Sequence, residues 1–267
     1  MANVRFDVEK EEEIHYFDNY DDYNDSINGS LPDPSLGFKD ASMGSDVLKT
    51  IEKFLSNTQS TVCGSRIFLI MQRYPNETDI TQLVTKMRLF HVYIAILSPI
   101  VPSGGLYSST MYNLASKTNG LCFFAYSEDF GDQYQLLPKM DPMQLAYAAN
   151  VNQVSGELVS LPELKLNQRN NYLCAMTVQD HGPLDQFQYF NLTSHVVEDP
   201  SRDFNIYMNK TTVEKRYGNS NHVNHWLYFG AGTNKLTLEV KYADGKPEQL
   251  QVRCYGDNID YWVPYDN

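Results

Sequence analysis

Three short runs decide the reading of this chain: Arg66-Ile-Phe-Leu-Ile-Met-Gln72, His91-Val-Tyr-Ile-Ala-Ile-Leu-Ser98 and Leu121-Cys-Phe-Phe-Ala-Tyr126. Each is almost wholly apolar, and their centres lie roughly 25 to 30 residues apart, the spacing of βαβ units. Strands apolar on both faces belong to a parallel sheet, which is expected to be covered by helices on each side. Helical patterns fill the gaps. Ile80, Leu83, Val84, Met87 and Phe90 share one helical face that Asp79 would cap, and a further helix over about Thr110 to Lys117 would stop at Gly120 in a left-handed conformation. Upstream, Val47, Leu48, Ile51, Phe54 and Leu55 form another such face, with Ser45 as its N-cap. The first half is therefore read as an α/β domain, whose ligands would sit at the carboxyl ends of its strands.

Outward from this core, Val4–Val8 and Ile14–Phe17 read as a strand pair leading into a loop that runs to about Ala41. Asp141-Pro142 would open a fourth helix, since Pro at the first helical position loses no hydrogen bond. After about Val159 the pattern changes to short strands rich in aromatic and β-branched residues: Tyr172–Val178, Phe187–Asn191, Phe204–Met208, Trp226–Phe229, Leu236–Tyr242 and Leu250–Tyr255. The last two read as a hairpin closed by Asp244-Gly245. Two domains follow: α/β over 1–158, and an antiparallel β-sandwich of about 100 residues over 166–267.

The formal charge of -12 over 267 residues argues against nucleic acid, because phosphate binding needs a basic surface to release counterions. Asp7 to Asp25 holds nine carboxylates against one lysine and reads as a solvated acidic loop. Asp18-Asn19-Tyr20-Asp21-Asp22 lacks the alternating oxygen ligands, central Gly and closing Glu of a calcium loop. No apolar run reaches transmembrane length, and no signal segment opens the chain, which on that ground alone would stay in the cytosol. Other features point outside the cell. Asn24, Asn28, Asn76, Asn191 and Asn209 each begin a glycosylation acceptor triplet, and the four cysteines permit two disulfides without any zinc spacing.

The helices, the three strands, and the segments Ser45-Asp-Val-Leu-Lys-Thr-Ile-Glu-Lys-Phe-Leu55, Pro102-Ser-Gly-Gly105 and Tyr112-Asn-Leu-Ala-Ser-Lys-Thr-Asn-Gly120 resemble a nematode family of mostly secreted proteins. In that family a von Willebrand A-like domain precedes a β-rich domain, sometimes beside C-type lectin modules. The resemblance covers nearly the whole chain. It implies a secreted, non-enzymatic interaction protein with a protein or glycan partner, in the gut or in defence. It also implies that the central first strand of the A-type fold, its helix and a signal peptide precede residue 1.

A-type domains hold a divalent metal on an Asp-x-Ser-x-Ser loop, a Thr and an Asp after the fourth strand. At that last position this sequence reads Gln72-Arg73-Tyr74, and arginine cannot ligate a cation, so the expected metal site is non-functional and no cofactor is expected. Asp40-Ala-Ser42-Met-Gly44-Ser45 imitates the motif but is equally a turn and helix cap. Arg73 is then a candidate for receiving an anionic group in the same crevice, beside Ser103 and Gly104 of the Pro102–Gly105 turn. His222-Val-Asn-His225 has a spacing that suits zinc on a helix, yet it sits among turn formers. Trp226, Trp262 and the 19 tyrosines offer stacking faces for a sugar, which makes Trp226 the candidate for a carbohydrate-binding β domain. Cys174 and Cys254, on the first and last strands of that domain, are the expected disulfide; Cys63 is left over, and Cys122 reads as a buried thiol. A hydrolase is a third reading, with no visible nucleophile and base.

Overall fold

The computed structural model describes residues 1–131, 143–179, 185–220, 222–257 and 259–265. Its first part contains the expected parallel sheet: β3 (Arg66–Ile70), β4 (Tyr93–Pro99) and β5 (Leu121–Ala125), ordered β3-β4-β5. Helices α2 (Val47–Leu55), α3 (Thr81–Leu89) and α4 (Ser108–Lys117) flank it. Ile51, Met87 and Leu114 pack with Ile94, Ile96 and Phe124 in one buried cluster, so all three helices serve the same sheet face.

The caps and stops lie close to the expected places, with changed roles. The Ser45 hydroxyl accepts from the Val47 N–H at 3.2 Å and Asp79 accepts from Thr81 at 3.0 Å, although each lies one residue outside the formal cap. The left-handed residue after α4 is Asn119, at φ 55°, and not Gly120. Gly120 is needed for a different reason: a Cβ there would meet the Ile94 carbonyl oxygen at 2.4 Å.

The amino-terminal segment departs further from expectation. Its strand pair is two residues long on each side, β1 (Ala2–Asn3) against β2 (His15–Tyr16). The acidic stretch is no plain loop, because Tyr20–Gly29 forms helix α1, capped by Asn19 accepting from Asp22 and carrying Asp21 and Asp22 where the helix dipole favours negative charge.

Residue 141, where a fourth helix would open, lies outside the described residues. From Gln144 the chain is strand: β6 (Gln144–Gln153) pairs with β14 (Glu248–Gly256), so the β-rich part takes its first strand from residues assigned above to 1–158. Its two antiparallel sheets are β12-β9-β14-β6 and β11-β10-β13-β7, with β8 also on β13. The strands are β7 (Leu158–Ser160), β8 (Leu164–Leu166), β9 (Asn170–Val178), β10 (Phe187–Val196), β11 (Phe204–Asn209), β12 (His222–Phe229) and β13 (Gly232–Tyr242). Helix α5 (Lys210–Tyr217) links β11 to β12. The expected hairpin of β13 and β14 is not formed. Gly245 does take positive φ, 68°, but its turn carries the chain from one sheet to the other. Leu236, Leu238 and Val240 then face Leu250, Val252 and Cys254 across a shared core. Alternation marks a buried face; it does not choose a pairing partner.

The second face of the parallel sheet is covered by this sandwich, not by helices. Ala95, Leu97, Leu121 and Phe123 cluster with Ala175 of β9, and the Phe123 ring stacks on His222 of β12 at 4.4 Å. The molecule is thus layered as helices, parallel sheet, four-stranded sheet and five-stranded sheet.

Polar side chains stitch the junction. The Gln251 side chain accepts from the Cys122 N–H at 2.8 Å and donates to the Tyr112 carbonyl at 3.1 Å, which satisfies backbone at the edge of β5. Arg253, fully buried, donates from Nε to the carbonyls of Asn119 and Gly120 and from Nη1 to that of Ala149. The Tyr112 hydroxyl lies 3.0 Å from the carbonyls of both Thr177 and Gln249. Burying such groups is tolerable because each finds a partner.

Candidate functional site

At the carboxyl ends of the parallel strands, where ligands were expected, the loops fill the crevice with one another. Ser103 N–H donates to Gln72, Tyr74 N–H to Gly104, Ser45 N–H to Tyr74 and Gly105 N–H to Ala41. Arg73 is buried beneath them. Its guanidinium donates to the carbonyls of Phe38, Asp40 and Met43 at 2.7 to 2.9 Å and lies over the Phe38 ring. The arginine therefore organises residues 38–45 and does not present a charge to an incoming anion. Gly104 is fixed by that contact, since a Cβ on it would sit 2.0 Å from Arg73 Nη1; the Ser103 hydroxyl is exposed and donates to Gln72. Asp40, the first residue of the imitation motif, accepts from Ser42 in a turn, which holds its carboxyl below the usual range. Among the described residues, no group of three or more His, Cys, Asp or Glu side chains is placed to hold a metal.

The two histidines are parted by the strand they occupy. Residues three apart on a strand face opposite ways, so His222 turns to the parallel sheet while His225 lines the sandwich interior beside Leu227 and Val252. Burial drives the His222 imidazole down to about 3, leaving it neutral, with Nδ1 against the Ser220 hydroxyl at 3.0 Å.

Cys174 and Cys254 are bonded, as expected from their strands, and are direct cross-strand partners of β9 and β14. Cys122 is the expected buried thiol, its ionisation pushed up by burial; Cys63 is exposed. Of the five acceptor asparagines, Asn24 and Asn28 lie exposed on α1 and Asn209 is exposed at the N-cap of α5. Asn76 and Asn191 are half-buried, and Asn76 donates to the Ser42 carbonyl.

Trp226 stands out at the open side of the sandwich. On β12, Leu227 and Phe229 enter the core while Trp226 and Tyr228 point outward, 56% and 49% exposed. The Arg169 guanidinium lies over the Tyr228 ring at 5.8 Å. Together with β11, the other edge strand, they bound a groove of about 440 Å³ whose polar lining includes Ser201, Asp203 and Asn205. Asp203 is held as a carboxylate, below its usual range, by His195 Nδ1 at 2.7 Å and by the Val196 N–H at 2.8 Å. Sequence reading singled out Trp226 and none of the other residues of this groove. The Trp226-Leu-Tyr228 spacing carried the signal for Tyr228, because positions i and i+2 share a face; Arg169, Asp203 and Asn205 come from other strands and loops and left no local trace.

A model of a domain of unknown function (DUF7154) matches residues 150–257, most of the sandwich. No curated protein matches the chain. Among solved structures the chain is similar to a family 35 carbohydrate binding module from an environmental isolate: 14% identity, 43% of this chain and 89% of that chain, TM-score 0.27. It is also similar to the CBM6cm-2 module of Cellvibrio mixtus lichenase 5A in complex with cellotriose, at 12% identity, 43% and 91% coverage and TM-score 0.26. The mosquito-larvicidal Cry4Aa toxin of Bacillus thuringiensis gives 10% identity, 43% and 21% coverage and TM-score 0.27. Modules and toxin alike score too low for their ligands or activities to be carried to this chain.

Proposed function

We propose that the protein is a non-enzymatic, extracellular interaction protein that binds a carbohydrate in the edge groove of its sandwich. One observation carries the reading: Trp226 and Tyr228, on either side of buried Leu227 in β12, expose large apolar rings beside Asp203 and Asn205. A sugar matches that combination, because its C–H faces stack on aromatic rings while its hydroxyls need donors and acceptors close by. Exposed apolar patches rimmed by polar groups mark interaction surfaces. The cross-strand disulfide suits an oxidising compartment. We read the α/β part as the degenerate A-type domain of the resemblance, a reading supported by its parallel sheet and flanking helices, with Arg73 serving structure and not a metal.

The test is a glycan array probed with the full chain and with Trp226→Ala, folding of each being checked by circular dichroism. Binding to a defined glycan set, reduced at least about tenfold in the variant, is the expected result. Absence of glycan binding, or binding that Trp226→Ala leaves intact, overturns the reading.

A further inference from the structure

Beyond β14 the chain turns back across the amino-terminal ends of the parallel strands and walls off a second cleft, of about 380 Å³. Both halves of the molecule build it: Arg66 and Tyr93 from the parallel sheet, Tyr255 from β14, and Asp260, Tyr261 and Trp262 from the tail. The tail is tied down. Asn119 Nδ2 donates to the carbonyls of Val263 and Pro264 at 3.1 and 3.0 Å, and the Tyr261 hydroxyl donates to that of Ala146 at 3.0 Å. The Trp262 ring lies flat on His91, centroids 4.5 Å apart and 10° from parallel.

Two features of this cleft point to a ligand. Trp262 remains 61% exposed although one face rests on His91, so its other face is open for stacking. Arg66 is exposed and, among the described residues, its guanidinium makes no ion pair or hydrogen bond. The floor is neutral: burial pushes Tyr93 up to about 12, and its phenol is hydrogen-bonded to that of Tyr255. Asp260 is the one carboxylate among the lining residues, and its charge acts on Tyr261, while Arg66 and Arg253 act on the tyrosine pair. Arg66 is thus the guanidinium among the lining residues, beside the tyrosine pair. The cleft's volume suits a ligand of one or two rings.

We propose that this cleft binds a small ring-bearing carboxylate, with the carboxylate on Arg66 and the ring on the free face of Trp262. The site is separate from the sandwich groove and stands whether or not that groove binds sugar. The chain has two tryptophans, so Trp226→Phe leaves Trp262 as the only indole reporter.

The experiment titrates full-length Trp226→Phe with benzoate and with glucuronate, using benzyl alcohol and glucose as neutral counterparts, and follows Trp262 emission. A saturable change below about 10 mM with at least one acid, and at least about tenfold weaker with its neutral counterpart, is expected. Arg66→Gln in the same background should weaken acid binding at least about tenfold with an unchanged melting temperature, because Arg66 is exposed. Response to benzoate alone assigns an aromatic acid and response to glucuronate alone a sugar acid; either supports the site. No saturable response to both acids, equal response to the neutral counterparts, or an Arg66→Gln protein that binds as before, overturns it.

Discussion

Replacing Arg253 with Met tests the layered architecture most directly. The substitution keeps an unbranched apolar stem in the buried channel and removes the guanidinium. Left behind are the carbonyls of Asn119 and Gly120, both in buried residues, which accept from Nε at 3.2 and 2.8 Å, and Asn150 Oδ1, which accepts from Nη2 at 2.7 Å. A buried acceptor stripped of its partner costs about 1–3 kcal/mol. The two carbonyls alone give about 4 kcal/mol, against a total stability of about 5–15 kcal/mol for a typical protein. At about 2–4 °C per kcal/mol for a chain of this size, melting should fall by about 8–16 °C. Exchange of a buried ion for an apolar group is sometimes neutral, but only where its partners leave with it; here the carbonyls stay. The assay is urea unfolding read from Trp226 and from Trp262 separately, in Trp262→Phe and Trp226→Phe backgrounds. Both transitions should move together, because Arg253 joins the α/β part to the sandwich. A loss under about 1 kcal/mol would refute the reasoning, and movement of one transition alone would show that the two parts unfold independently.

Gly105→Ala should cost more than about 3 kcal/mol in the same assay, because its Cβ would lie 1.8 Å from the Tyr74 carbonyl oxygen at φ 79°. Gly245→Ala, at φ 68° with open space around it, should cost only about 1 kcal/mol, so near-equal losses would sink the steric account. His222 takes a proton in the unfolded chain near its ordinary 6.5 but in the folded one only near 3. Its contribution is complete above about pH 6.5 and falls by about 1.4 kcal/mol per pH unit as pH drops towards 3. Asp7, raised by burial to about 6, has the opposite slope and cancels when wild type is compared with His222→Phe. The gap between the two proteins should therefore change between pH 4 and 6.5, and parallel curves would contradict the burial. Replacing both Cys174 and Cys254 with Ala should lower stability by about 2–5 kcal/mol, since the bond closes a separation of 80 residues.

What the sequence made legible was set by local periodicity. The runs at 66–72, 91–98 and 121–126 are apolar at consecutive interior positions, which demands cover on both faces, and the helix faces of Ile51, Met87 and Leu114 supply one cover. The identity of the other cover was not local. Leu250-Gln-Val-Arg-Cys254 alternates apolar with polar and so reads as a strand with a wet outer face. In the fold that polar face is the junction, with Gln251 and Arg253 both 0% exposed. Their long side chains reach backbone carbonyls more than 130 residues away, a match that no window of the chain displays.

The same distance explains why the expected crevice is filled. Arg73 looked free because its partners, Phe38 to Met43, lie in a stretch without periodicity, and three carbonyls claimed its charge. The carboxyl-end rule describes an α/β sheet whose loops leave a crevice. Here residues 38–45 close it, and exposed aromatic rings stand beside polar groups elsewhere, at the edge of the sandwich and in the cleft under the carboxyl-terminal tail. Each owes its geometry to chain that the parallel sheet does not contain. Neither surface is lined by the carboxyl ends of the parallel strands, to which the α/β signature directs attention.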